Sequence, residues 1–157
     1  MSEPTLVPVT DDDLDHVREL FREYAAEIEI DLCFQGFEEE LSSLPGRYAA
    51  PTGSLILAWD EARPIGCIGL REIAPRVAEM KRLYVRPEAR GTGVGRRLVE
   101  RFLEDARRLG YREVVLDTLD RMVSARALYT SLGFEVVPAY YNNPLEGVVY
   151  MRLRLDG

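Results

Sequence analysis

Apolar and polar positions alternate along the chain with a period that changes from segment to segment, and each change marks an element. Leu6 to Val9 reads as a short strand. Thr10, followed by Asp11, Asp12 and Asp13, offers an N-cap and an acidic first turn. Leu14, Val17, Phe21, Tyr24 and Ile28 then recur at helical spacing, which predicts a helix ending near Asp31. Cys33, Phe34, Gln35 and Gly36 form an irregular link to a short second helix that stops before Pro45. Ser54 to Trp59, Ile65 to Leu70 and Val77 to Val85 read as successive strands, parted by the polar turn at Asp60 to Pro64 and by the segment around Pro75. To this point the pattern is an antiparallel meander.

The period then lengthens. From Gly93 to Leu109, Val94, Leu98, Phe102, Ala106 and Leu109 fall on one helical face, and Gly110 stops the helix. Val114 to Asp117 reads as a strand, Met122 to Leu132 as a helix capped by Gly133, and Phe134 to Val137 with Val148 to Leu155 as closing strands. Nothing repeats, and no low-complexity stretch interrupts the series.

Composition narrows the picture. With 157 residues, 46% of them apolar, the expectation is one α/β (α+β) domain spanning residues 1–157 around one core. The net charge of −7 repels phosphate backbones, so nucleic acid is not an expected partner. Cys33 and Cys67 have neither a neighbouring Cys nor a metal-spaced His, which suggests neither disulfides nor a metal site and fits buried thiols in a reducing cytoplasm. Met1 to Asp13 lacks the basic start and apolar core of a signal peptide, and no apolar run reaches membrane-spanning length. A cytoplasmic protein without a membrane partner is expected, and homodimer formation is left open.

The strongest local signal is Arg90-Gly91-Thr92-Gly93-Val94-Gly95, lying between an apolar strand and an amphipathic helix. Glycines let a ligand approach the backbone, and a helix N-terminus offers unpaired N–H groups, so together they suit a pyrophosphate. Arg96 and Arg97 oppose the helix dipole unless an anion sits nearby. The segment has no Lys-Ser or Lys-Thr pair, and its glycines run G-x-G-x-G, so neither a P-loop nor a dinucleotide fold fits.

The run Glu79-Met80-Lys81-Arg82-Leu83-Tyr84-Val85, then Arg86-Pro87-Glu88-Ala89, then the glycine loop, resembles the central motif of the GNAT superfamily of N-acetyltransferases. Ala127-Leu128-Tyr129-Thr130-Ser131-Leu132-Gly133-Phe134 is similar to that family's second hallmark, in the family order. The resemblance implies a mostly antiparallel mixed sheet of about seven strands, splayed between the fourth and fifth and flanked by about four helices. It implies acetyl-coenzyme A as cosubstrate, with its pyrophosphate on Arg90, Gly91, Thr92, Gly93, Val94, Gly95 and Arg96, and its pantetheine arm along Leu83, Tyr84 and Val85. Many relatives carry an asparagine where this chain has Met122, which reads here as a core residue at helical spacing with Ala125 and Leu132.

Within the fourth strand Ala78 and Met80 share one side, whereas Leu83 and Val85 fall in the opposite alternation. A β-bulge near Lys81 or Arg82 would explain the slip and free a backbone N–H for a thioester oxygen; a strand buried on both faces would give the same pattern. The resemblance gives Glu79 the place of the general base found in some relatives, and Tyr129 the place of the tyrosine that protonates the departing sulfur. His16, the single histidine, suits solvent or capping in the first turns of its helix.

The acceptor is expected to be the primary amine of a small, amino-acid-like molecule, attacking directly in a ternary complex. Phe34, Gln35, Asp117, Tyr140 and Tyr141 are candidates to shape its site, and Arg71 or Arg82 to hold a carboxylate. A peptide or protein N-acetyltransferase and a non-catalytic acyl-coenzyme A-binding module are the alternatives.

Overall fold

The computed structural model describes residues 4–28 and 36–155. Strand β1 (Thr5–Pro8) leads into a single 3-10 turn in which the backbone N–H and hydroxyl of Thr10 both donate to Asp13, at 3.0 and 2.9 Å. Helix α1 (Leu14–Ile28) then buries Val17, Leu20, Phe21 and Ile28, the stripe that its spacing predicts. Helix α2 (Phe37–Ser43) adds Phe37 and Leu41 to the same cluster. The expected run of α1 to Asp31, and the link residues Cys33, Phe34 and Gln35, lie outside the described residues.

Strands β2 (Ser54–Asp60), β3 (Arg63–Ala74) and β4 (Val77–Val85) form the predicted antiparallel meander. β3 outruns its predicted end at Leu70, because Arg71 lies opposite Glu79 and the two polar side chains pair across the ladder. Helix α3 (Val94–Arg108), strand β5 (Glu113–Leu119), helix α4 (Val123–Ser131) and strands β6 (Glu135–Val137) and β7 (Val148–Arg154) complete the chain. The sheet runs β1-β2-β3-β4-β5-β7-β6, with a single parallel contact, β4 to β5.

Two apolar clusters sandwich the sheet. On one face α3 lays Leu98, Val99 and Phe102 against Ile56, Ile68, Met80 and Leu116; on the other, α1 and α2 cover Leu55, Leu57, Cys67 and Tyr84. Two irregularities in this frame place the site. First, β4 and β5 pair only from Val77↔Glu113 to Glu79↔Val115, although the strands continue to Val85 and Leu119, so they part and leave a cleft. Second, β4 carries the bulge. Gly69 pairs with Lys81 and Cys67 with Tyr84, so Arg82 and Leu83 together face Ile68, and Arg82 takes φ 62°. The alternation slip between Met80 and Leu83 is this bulge.

Candidate active site

The cleft between β4 and β5 is lined by Met80, Lys81, Arg82 and Leu83 on one side and by Leu116, Asp117 and Thr118 on the other. Tyr24 of α1, Met122 and Tyr129 of α4 also line it. The Cys67 thiol holds the bulge by donating to the Arg82 carbonyl oxygen at 3.3 Å. Burial pushes that thiol up to about 12, so it keeps the proton it donates. Tyr129 is buried, its ring 5.8 Å from that of Phe134. Among the described residues its hydroxyl has no hydrogen-bond partner. Burial, then the charges of Tyr24 and Asp117, push its pKa up and keep the phenol protonated.

Beyond the cleft lies a pocket lined by Arg47, Arg71, Glu79, Lys81, Tyr140 and Asn142. Glu79, 2% exposed, is held at both oxygens: Arg71 Nε donates to Oε1 at 2.6 Å and the Tyr140 hydroxyl to Oε2 at 2.5 Å. Charge-assisted bonds of this kind fix a carboxylate's orientation. Asp117 accepts from the Tyr141 hydroxyl and from Asn143 Nδ2 at 2.9 Å, and Lys81 Nζ stands 3.9 Å from it. The rings of Tyr140, Tyr141 and Tyr150 pack together with centroids 5.2 to 5.7 Å apart, which stiffens the loop over the pocket.

The glycine loop opens α3. Gly93 is the N-cap at φ 86° and Gly91 lies at φ 79°, conformations that favour glycine. A Cβ at either would meet nothing within 4 Å, so the backbone is open to a ligand, and the first N–H groups of α3 have no partner within the helix. Pyrophosphate fits this cradle. The arginines beside it are already engaged. Arg90 pairs with Glu27 and donates to the Val85 carbonyl at 2.9 Å; Arg96 reaches Ser131 at 2.7 Å; Arg97 ties down the Pro4 carbonyl at 2.7 Å. Thr92 folds back on the Ala89 carbonyl. The backbone, more than the arginine side chains, is left open to an anion here. Acetyl-coenzyme A as a whole fits the arrangement: Gly91 to Gly95 would hold its pyrophosphate, and the bulged segment from Leu83 to Val85 would flank its arm.

Of the residues singled out in the sequence, Glu79, Arg71, Tyr140 and Tyr141 meet in the pocket, while Tyr129, Leu83 and Asp117 meet in the cleft. Arg82 is committed elsewhere: Nε and Nη2 grip Glu40 at 3.1 and 2.9 Å, and its guanidinium lies 5.3 Å from the Phe37 ring centre. His16 stacks edge-on against Trp59. Phe34 and Gln35 lie outside the described residues. Sequence reasoning overlooked Arg47, Lys81 and Tyr24, while Asn143 belongs to the loop it expected at the acceptor; Met122, read as core, packs against the α1–α2 cluster and also lines the cleft. For Lys81 a signal was present, since it lies in the strand motif beside Glu79. The others carry no local mark.

Residues 14–134 match the profile of the acetyltransferase (GNAT) family. An uncharacterized N-acetyltransferase of Schizosaccharomyces pombe is 43% identical over 146 residues, covering 92% of this chain and 90% of its own length. A GNAT-family acetyltransferase of Staphylococcus aureus superposes with a TM-score of 0.82 at 18% identity over 98% of this chain and 99% of its own. An acetyltransferase of Salmonella typhimurium, solved with its cofactor acetyl-coenzyme A, gives 0.75 at 20% identity over 99% and 96%. With this match over most of its length, a splayed seven-stranded sheet and an open cradle at α3, the chain belongs to the GNAT family and is an acetyl-coenzyme A-dependent N-acetyltransferase.

Proposed function

We propose that this enzyme acetylates the primary amine of a small, amino-acid-like acceptor by direct attack in a ternary complex, acting as a single cytoplasmic domain. The observation that carries the reading is the pocket beside the cleft, where Arg47 and Arg71 could face an acceptor carboxylate and a buried carboxylate, Glu79, could face its amine. Tyr140 and Tyr141 roof that pocket, which favours a short acceptor over an extended peptide.

Bound acetyl-coenzyme A supplies an acyl carbon and a thiol leaving group. The chain's own residues do the rest. Glu79, oriented by Arg71 and Tyr140, draws the proton from the acceptor ammonium directly or through water. A backbone N–H of the bulged segment near Leu83 would donate toward the acyl oxygen. Tyr129 holds a proton at its hydroxyl and delivers it to the sulfur side of the cleft. Arg82 keeps the bulge in place through Glu40 rather than touching the acceptor.

A thermal-shift titration with acetyl-coenzyme A, followed by thiol release over a panel of amino acids, other small amines and peptides, tests the reading. Stabilisation by the cosubstrate with release on small carboxylated amines is expected. Release on peptides alone would reverse the acceptor class. Stabilisation with no release on any amine would make the chain an acyl-coenzyme A-binding module.

A further inference from the structure

Of the 20 lysine and arginine residues, Lys81 is the only lysine. Either residue serves as a solvated surface charge, but a guanidinium stays protonated in proteins, whereas a buried lysine readily gives up its proton. The single side-chain amine of the chain lies inside the site. Lys81 is buried, and it lines both the cleft between β4 and β5 and the acceptor pocket, so an amine passing from one to the other meets it.

The groups around it are mixed in sign. Glu79 and Arg82 flank it on β4, Arg71 lies on β3, Asp117 on β5 and Glu40 on α2; Tyr24, Tyr129, Tyr140 and Tyr141 share its two cavities. Burial, then the charge of Arg82, lowers the pKa of Lys81 from 10.5, with Asp117 and Glu79 pulling the other way. Glu79 by contrast has both oxygens already engaged, by Arg71 and Tyr140.

We propose that Lys81 is a second catalytic proton-transfer residue: after Glu79 has taken the first proton and the amine has attacked, the Lys81 amine in its neutral form takes the second proton from the acceptor nitrogen, now positively charged, where the pocket meets the cleft. The step breaks an N–H bond on the acceptor and forms one on Nζ, so the charge moves from one nitrogen to the other and no further reactant is needed. Glu79 and Asp117 then face the ammonium that results. The proposal rests on the acetyl-transfer reading above.

Because the chain has one lysine, incorporating 13C-labelled lysine during expression labels one side chain, and its Cε shift against pH reports Lys81 alone. The midpoint is expected below the ordinary value of 10.5, and the acidic limb of kcat/KM on an accepted amine is expected to follow it. Lys81→Arg keeps a cation but removes the proton acceptor, and kcat should fall by about a hundredfold, with acetyl-coenzyme A affinity by calorimetry retained. Lys81→Met should show the same loss, which guards against a packing defect peculiar to arginine. A midpoint at or above 10.5, a limb that does not follow the labelled resonance, or wild-type kcat in Lys81→Arg would overturn the proposal. So would stable acetylation of Lys81 itself, read by mass spectrometry, since Nζ would then be an acceptor and not a base. A wild-type enzyme releasing no thiol with any amine would defeat the acetyl-transfer reading and this proposal together; an active Lys81→Arg beside an active wild type defeats this proposal alone.

Discussion

Burial acts in opposite directions on the two cleft residues that could move protons. It drives the Tyr129 phenol toward its neutral, proton-bearing form and Lys81 toward its neutral, proton-accepting form. In the roles proposed above, an acid and a base would share one cavity without neutralising each other. Tyr129→Phe removes only a hydroxyl that has no partner among the described residues, and the ring remains against Phe134. We therefore expect kcat to drop by about a hundredfold or more while acetyl-coenzyme A affinity and the melting temperature stay near wild type. Steady-state kinetics and a melting curve would check this. Unchanged turnover in the folded variant would return Tyr129 to a packing role.

At the scale of elements, the proposed cosubstrate seat depends on how α3 begins. Gly91 and Gly93 take positive φ so that the chain turns sharply from the end of β4 into the helix with its N–H groups outward. Gly93→Val places a β-branched side chain where φ is 86°, at a cost of about 1–2 kcal/mol. The space around that position is open, so the variant should still fold, with its loop displaced and its new side chain where the ligand would approach. Calorimetry should show acetyl-coenzyme A binding weakened by about tenfold or more. Unaltered affinity in a folded Gly93→Val would take this turn out of the site. The β4 bulge is a second element-level device, and the Cys67 thiol that braces it lies one strand away, opposite Tyr84.

Across the whole molecule, carboxylates of α1 and α2 and arginines of β4 and its following loop clamp the helical layer onto the sheet. Arg82 grips Glu40, Arg86 grips Glu19 and Glu23, and Arg90 meets Glu27. The Arg82 and Glu40 pair is the buried one, with side chains 2% and 12% exposed. Burial alone would raise the Glu40 carboxyl, but the hydrogen bond and charge of Arg82 outweigh it and leave the pKa below 4.5. A folded-state value below the unfolded one contributes stability that is fully present above pH 4.5 and is lost as pH falls through the folded value. Arg82→Met strands Glu40 without a counter-charge, and denaturant unfolding at neutral pH should show a loss of about 3–5 kcal/mol. The deficit should shrink toward pH 4, where Glu40 can take up a proton; a deficit that stays constant with pH would show that the pair carries no charge-dependent stability.

Local pattern was enough to determine much of this protein. The 3.6 and 2 periodicities placed α1, α3 and the strands to within a few residues, the slip between Met80 and Leu83 located the bulge, and Arg90 to Gly95 marked the glycine turn that opens α3. Each of these follows from neighbours along the chain, because backbone conformation and side-chain alternation are set over a few residues. The tertiary structure alone decided which distant groups share a face. Arg82 carries the same charge whether it binds an acceptor or Glu40, and only folding brings Glu40 to it from 42 positions away. The Tyr140 hydroxyl reaches Glu79 across 61 positions. Lys81 owes its lowered proton affinity to burial and then to the Arg82 charge, and only folding buries this one amine where a cleft and a pocket both reach it. Periodicity assigns a side chain to a face; the long-range packing of that face decides its partners and its chemistry.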